Sequence, residues 1–434
     1  MRIITILVFL FTPVFLLSYT GEKTDSTSTP GNFTEGLAFD GNYLINADRQ
    51  TDLLYFIDPV SGEVKKELES PAYWTTGLTW DGSALWAADV KGGLPLSENY
   101  KGKIYKIDPE SGVILHTVNA PCKRPRGLAY DGKYLWVSDN ASNKIIQFDQ
   151  NDGTTIKDFD APAKDPRGIT FDGKYLWVGD RKRDKIYMMD PETGYVLLTA
   201  DAPGKFVKGI CFDGKGLWAA DDQANRIYKL KIRDGVKFRR TEPRNAKVRY
   251  IHQTTNYGPG TLKELNVHIA LPVNRDNQEI KNAPELIPNT YNLKTDKWDQ
   301  QTAKYTVKDL TQGKRFEAEM NVEATFYDLR YFIYPDEAGS LNDIPQDIKN
   351  RYLVNNEKYR YEHPIIQNAV KEAVGDETNP YKIMRLIFSY LIDNMYYEMA
   401  GGWNTAPAVL ERGNGSCSEY SFVYIAMCRA AGLP

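Results

Sequence analysis

Five copies of one thirteen-residue pattern constrain this chain more than any other feature. GLAFDGNYLINAD, GLTWDGSALWAAD, GLAYDGKYLWVSD, GITFDGKYLWVGD and GICFDGKGLWAAD open at Gly36, Gly77, Gly127, Gly168 and Gly209, in steps of 41, 50, 41 and 41 residues. The one long step holds the extra residues of VKGGLPLSENYKG, Val90 to Gly102. In each copy Asp-Gly separates two apolar runs, which predicts a tight hairpin because such turns need a positive φ. Each copy continues into a strand such as KIYKIDPESG or KIYMMDPETG. Pro followed by Gly there marks a second hairpin loop. A fourth strand such as YVLLTADAP completes the unit. Four short strands in a period of about 41 residues is the pattern of a propeller blade. The repeats therefore predict an all-β, five-bladed propeller over residues 32–244.

The repeats resemble bacterial propellers of the glutamine-cyclotransferase-like and quinoprotein-like kind, over about 200 residues. Such a likeness speaks for fold and little for function. Asp48, Asp89, Asp139, Asp180 and Asp221 recur after the second strand of each unit. They could ring a channel and bind a cation, but capping a loop or bonding the next blade is the expected role. Trp86, Trp136, Trp177 and Trp218 are expected in blade packing, not in a ligand cage. The propeller is expected to serve as a binding platform or spacer.

Before the repeats lies MRIITILVFLFTPVFLLSYTG, one Arg followed by an apolar run and then small residues. That is the pattern of a secretory signal peptide, residues 1–20, with cleavage near Thr20. No cysteine closely follows the run, which argues against a lipid anchor. GEKTDSTSTPG, residues 21–31, is expected to be a polar linker. The protein is thus expected to be secreted or periplasmic, with membrane attachment only if the segment stays uncleaved. The 54 basic and 57 acidic residues, with no basic block, leave no electrostatic footprint for nucleic acid. No cofactor-binding or metal-binding motif is read, so neither is expected, and oligomeric state is not legible.

Export raises the question of disulfides. Cys417 and Cys428 lie on one predicted helix, about 16 Å apart along its axis, whereas a bridge needs Cα atoms about 4.4–6.8 Å apart. Cys211 replaces an apolar residue in a repeated strand and reads as a core residue. Cys122 lies in a connection between repeats, with no assigned role.

Beyond the repeats, KVRYIHQTTN, LKELNVHIALPV, TAKYTVKDL and RFEAEMNVEATFY keep an extended pattern between turn residues. They predict a small β-sandwich over 245–340 in which His252 and His268 are structural. After Pro345 the period becomes helical. HPIIQNAVKEAVG, NPYKIMRLIFSYLIDNMYY and TAPAVLERG predict three helices with proline starts or glycine stops. GNGSCSEYSFVYIAMCRAAGLP predicts a fourth, starting at Cys417 behind a Ser416/Glu419 capping box and stopping at Gly432. Its first turn carries the thiol, where unpaired N–H groups and the helix dipole favour a thiolate and can hold an oxyanion.

That stretch, with PAVLERG and the NPYKI…MYYE helix before it, resembles the core of the transglutaminase-like superfamily. The stretch ALPVNRDNQEI resembles the β-domain that often precedes this core. The resemblance runs from about Asn245 to Pro434 and implies a papain-like α+β core over 341–434, of which this is the helical front part. It implies that Cys417 is the nucleophile of a Cys-His-Asp triad, forming a thioester from a peptide or protein amide and passing it to an amine or to water. The family's His and Asp follow the cysteine helix. Here the histidines are His116, His252, His268 and His363, all upstream. The chain is therefore expected to be a fragment carrying the nucleophile without its partners and inactive alone. Two functions stay open: an exported cysteine enzyme using the propeller for recognition, or a non-enzymatic protein- or ligand-binding propeller protein with a vestigial cysteine region. Because the Cys417 helix is apolar on nearly every side, residues 380–434 are expected to be loosely held.

Overall fold

The computed structural model describes residues 18–90, 102–233, 235–399 and 402–434. The proposed signal peptide falls mostly on residues outside this set. The described chain is mostly β, with helices confined to its C-terminal part, and divides into two units. The first comprises residues up to Gly235 together with Phe332–Pro434, and the second is Val236–Tyr331.

In the first unit, five antiparallel four-stranded sheets correspond one to one with the five repeats. The third is representative, running Pro125–Tyr130, Leu135–Asp139, Lys144–Phe148 and Thr155–Asp160 in order. Asp131 N donates to Tyr134 O at 3.1 Å, so the first turn centres on Gly132 and Lys133, one residue later than the Asp-Gly pair itself. Gly132 has φ +96°, as the turn requires. The Asp131 carboxylate accepts Lys133 N and Tyr134 N, and its second oxygen takes Trp136 Nε1 at 2.8 Å. The same bond recurs where Trp86 donates to Asp81, Trp177 to Asp172 and Trp218 to Asp213. All four indoles are buried, so the tryptophans pack the sheets.

The five sheets close into a ring. The repeat glycines lie where the innermost strands meet. A Cβ at Gly77 would lie 2.5 Å from Arg126 O, one at Gly127 2.5 Å from Ile169 N, and one at Gly168 2.6 Å from Ile210 N. The last contact returns to the first sheet, since a Cβ at Gly209 would lie 2.6 Å from Glu35 O. Only glycine permits strands this close.

The expected linker over 21–31 is corrected. Lys23–Ser28 is a strand, antiparallel to Arg226–Lys231, and it supplies the outer strand of the fifth sheet. The residues just before it are also part of the fold. The Tyr19 ring stacks on Phe332 at 6.2 Å, and Thr20, buried, meets the Tyr334 hydroxyl at 3.1 Å. Cleavage near Thr20 would therefore fall beside packed residues.

The second unit has two sheets, and it begins and ends earlier than the sequence suggested. Two long strands, Phe238–Thr255 and Arg315–Tyr331, pair antiparallel across the intervening residues 256–314 and are flanked by two short strands, and a second sheet orders Leu262–Ala270, Gln301–Leu310 and Asn292–Thr295. Val267, Ile269, Ala303 and Tyr305 from one sheet share a core with Ala318 and Met320 from the other. His252 bonds Thr254, while His268 faces outward. Phe332 and Tyr334, expected in this unit, instead join the core of the fourth and fifth ring sheets.

The helical part comprises α1 (Gln346–Tyr352), α2 (Pro364–Val374), α3 (Pro380–Asn394), α4 (Ala406–Arg412) and α5 (Cys417–Ala430). The predicted caps are present: Asn379 caps α3 and left-handed Gly413 (φ +73°) ends α4. Residues 380–434, expected to be loosely held, pack as a cluster. Helices α2, α3 and α4 all contact α5, and Ile366, Ile387, Leu391, Val409, Val423 and Met427 form the shared core. Helix α3 is also tied to the fourth ring sheet. Tyr381 donates to Leu197 O at 2.6 Å, and Lys382 pairs with buried Asp190 at 2.6 Å.

Candidate active site

The site grows from the turn that starts α5. Ser416 occupies the extended N-cap position, and the reciprocal capping box with Glu419 is complete. Cys417 is the first helical residue and is exposed; Cys122, Cys211 and Cys428 are all buried. Burial raises the Cys211 thiol and pushes Cys428 up to about 11. Cys417 is thus the one thiol both reachable and placed at the positive end of a helix.

What holds this turn is more elaborate than a cap. Glu419 is fully buried, and its Oε2 accepts Ser416 N at 3.0 Å and Arg412 at 3.2 Å. Its Oε1 accepts Asn404 Nδ2 at 2.7 Å and Asn404 N at 3.3 Å. Burial alone would raise this carboxyl, but bonds from Ser416 and Asn404 and the Arg412 charge outweigh it and hold Glu419 at about 2. The carboxylate stays ionised because both oxygens are occupied by donors. It is therefore a fixed anion that orients three segments.

Arg412 extends the framework by donating to the side chain of Asn414 and, at 3.0 Å, to its carbonyl. Asn414 Nδ2 donates to Tyr396 OH at 2.8 Å and to Glu398 at 2.7 Å. Tyr396–Tyr397 runs parallel to Asn414–Gly415. Trp403, exposed, lies beside Asn404 with its ring 5.8 Å from Phe422 of α5. The place of Cys417 at the helix start and the Ser416/Glu419 cap were legible in the sequence; Asn404, Arg412 and Asn414 were not.

Chemically, the arrangement presents a thiol on rigid backbone with first-turn N–H groups beside it. No imidazole hydrogen-bonds the thiol among the described residues. His116 meets Asn151 O and His363 caps α2. The described residues contain no group of His, Cys, Asp and Glu side chains that could hold a metal ion. Four of the recurring ring aspartates cap their own loops: Asp48 accepts Phe33 N, Gln50 N and Thr51 N, and Asp139, Asp180 and Asp221 do likewise.

A family model described as the transglutaminase-like superfamily matches residues 367–434, which contain Cys417 and its framework. A second, described as outer membrane protein assembly factor BamB, matches residues 141–253. A curated uncharacterized protein of Haemophilus influenzae is 27% identical over 190 residues, 40% of this chain and 49% of that protein. The chain spans about half the length of that curated relative. Among solved structures, Myxococcus xanthus glutaminyl cyclase aligns with 50% of this chain and 97% of its own at 14% identity, TM-score 0.42. A Cytophaga hutchinsonii protein described as a cysteine protease aligns with 45% of this chain and 67% of its own at 17% identity, TM-score 0.35.

Proposed function

We propose that the protein is a transglutaminase-like cysteine enzyme acting on peptide or protein amides, with Cys417 as nucleophile. The observation that carries this is the place of the reachable thiol, at the first residue of a capped helix inside the matched region. In the proposed reaction the Cys417 sulfur adds to an amide carbonyl as its thiol proton is given up, first-turn N–H groups receive the developing oxyanion, and the C–N bond breaks so that the amine leaves with that proton. The acyl group of the thioester then passes to water or to an amine, which restores the thiol. A five-bladed propeller would serve as recognition module, and the N-terminal apolar segment would direct export. No helix among the described residues is long and apolar enough to cross a membrane.

A second reading, a binding protein whose cysteine region is vestigial, is favoured by one observation: no histidine bonds the thiol among the described residues. Alkylation followed by peptide mapping tests the nucleophile. In the folded chain near pH 7, iodoacetamide should modify Cys417 faster than the other three thiols, and faster than an exposed cysteine in a short unstructured peptide. A Cys417 rate no higher than that of the peptide would leave an ordinary surface thiol and favour the second reading.

A further inference from the structure

One end of the ring carries a circuit of charges that the cysteine chemistry does not use. Its residues fall at two repeated places. One is the position before each ring glycine, held by Glu35, Thr76, Arg126, Arg167 and Lys208. The other is the position after each recurring aspartate, which includes Arg49, Asn140, Arg181 and Asp222.

The contacts run from sheet to sheet until they close. Lys208 of the fifth sheet pairs with Asp222 at 3.1 Å and with Glu35 of the first at 2.8 Å. Glu35 accepts Trp74 Nε1, at the edge of the second sheet, at 3.3 Å. The Trp74 ring has Arg49 on it at 3.8 Å and Arg126 of the third sheet at 5.4 Å. Arg126 donates to Asn140 at 3.1 Å, and Asn140 donates to Asp165 of the fourth at 3.2 Å. Asp165 holds Arg167 and Arg181, and Arg181 lies over Phe206 of the fifth sheet at 5.8 Å. A circuit through all five sheets surrounds the ring axis.

The cations of the circuit are not equally paired. Arg167, Arg181 and Lys208 pair with the carboxylates of Glu35, Asp165 and Asp222, whereas Arg49 and Arg126 make no ion pair with them among the described residues. Four recurring aspartates at this end, Asp48, Asp139, Asp180 and Asp221, accept loop N–H groups. Arg126 is only 8% exposed, yet its one hydrogen bond among the described residues is to a neutral amide. Arg167, 7% exposed, has its Nε 3.0 Å from Asp165 Oδ1 and shares that one carboxylate with Arg181. Burial, then the facing charge of Arg167, pulls the Arg126 guanidinium down to about 10. A buried cation without a counter-charge is costly, and a bound anion removes that cost.

We propose that this end of the ring is a binding site for a small oxyanion, a carboxylate or phosphate group received by Arg126 and Arg167. Guanidinium forks fit such groups in a planar, two-bonded manner, and the Trp74 ring beside Arg126 shields the pair from water. The site is independent of Cys417, so the reading of the cysteine can fail without touching it.

The test is thermal unfolding and calorimetric titration of the full chain with three probes: inorganic phosphate, glutarate and the neutral glutaramide. Each is measured against sodium chloride at matched ionic strength. One or both anions should bind saturably and raise Tm, and glutaramide should do neither. Whichever anion binds identifies the group. R126Q should weaken binding about tenfold or more, the loss of one charge-assisted pair. If R126Q does not fold, Thr76→Glu replaces it. Thr76 Oγ1 bonds Pro125 O at 2.8 Å, so this change sets a carboxylate beside Arg126 and should abolish anion binding. No saturable response of the unaltered chain to either anion overturns the proposal, as does binding that R126Q or T76E leaves unchanged.

Discussion

Lys382 Nζ lies 2.6 Å from the buried carboxylate of Asp190, and this pair joins the first turn of α3 to a hairpin turn of the fourth ring sheet. The Asp190 carboxylate also accepts Glu192 N at 2.8 Å from within its turn. Removing the lysine leaves a buried carboxylate short of its cation, which costs more than an exposed pair is worth. Lys382→Met should destabilise the helical part by about 2 kcal/mol, discounted from fully buried pairs because the lysine is partly exposed. Limited proteolysis checks the direction: cutting near α3 should speed up while the ring sheets stay resistant. Equal cutting rates in variant and parent would show that Lys382 anchors nothing.

Glu419 makes the cysteine turn sensitive to acid. Its carboxyl sits near 4.5 when unfolded and about 2 when folded, because burial is outweighed by the donors around it. A depressed carboxyl contributes stability above its unfolded value and loses it as pH falls through the folded one. Helical stability should therefore hold above about pH 5 and decline between pH 4.5 and 2. Glu419→Gln cannot ionise, so it should be less stable at neutral pH and lose that part of the acid dependence. Circular dichroism melts across this range test it; an unchanged acid profile in E419Q would falsify the role given to the carboxylate.

How much of this was legible in the sequence differs by element. The ring was legible because each sheet repeats the same glycine, Asp-Gly turn and apolar strand. The Ser416/Glu419 cap was legible because its partners are three residues apart. Lys23–Ser28 was not, since KTDSTS is polar on both faces and its partner strand lies about two hundred residues away. Edge strands carry little apolar patterning, so pairing and not side-chain period defines them. The Asn404–Glu419–Arg412 framework escaped for a related reason: its members lie on a loop and two helix ends, which no single period connects.

Substituting a ring glycine should be severe, and a turn glycine much less so. At Gly127 a Cβ would meet Arg167 O and would lie 2.5 Å from Ile169 N, both main-chain atoms that cannot rotate away. At Gly132 nothing lies within 4 Å, so only the positive φ opposes a side chain. Gly127→Ala should therefore cost about 3 kcal/mol or more through forced separation of two sheets. Gly132→Ala should cost only about 1–2 kcal/mol, from its left-handed backbone. Denaturant midpoints of the two variants decide: Gly127→Ala matching Gly132→Ala would mean the sheets part without difficulty.

The N-terminal strand should hold the ring shut. A closed ring of sheets is stable because each packs on two neighbours, and the fifth sheet takes its outer strand from the opposite end of the chain. The five pairings from Lys23–Leu230 to Ser28–Arg226 fasten that end, and Gly21 N adds a bond to Lys231 O at 2.8 Å. Two variants isolate the contribution of residues 18–28, the strand with its packed lead-in, one starting at Ser18 and one at Thr29. Losing the strand exposes the edge of Arg226–Lys231 and removes the Tyr19–Phe332 and Thr20–Tyr334 contacts. At about 0.5–1 kcal/mol for each lost hydrogen bond, the loss is about 3 kcal/mol, and a unit of more than 300 residues loses about 1.5 °C for each kcal/mol. The variant starting at Thr29 should thus melt about 4–5 °C below the one starting at Ser18, and its bare edge should promote association between molecules. Calorimetry with light scattering checks both, and equal melting temperatures would show that the fifth sheet stands without this strand.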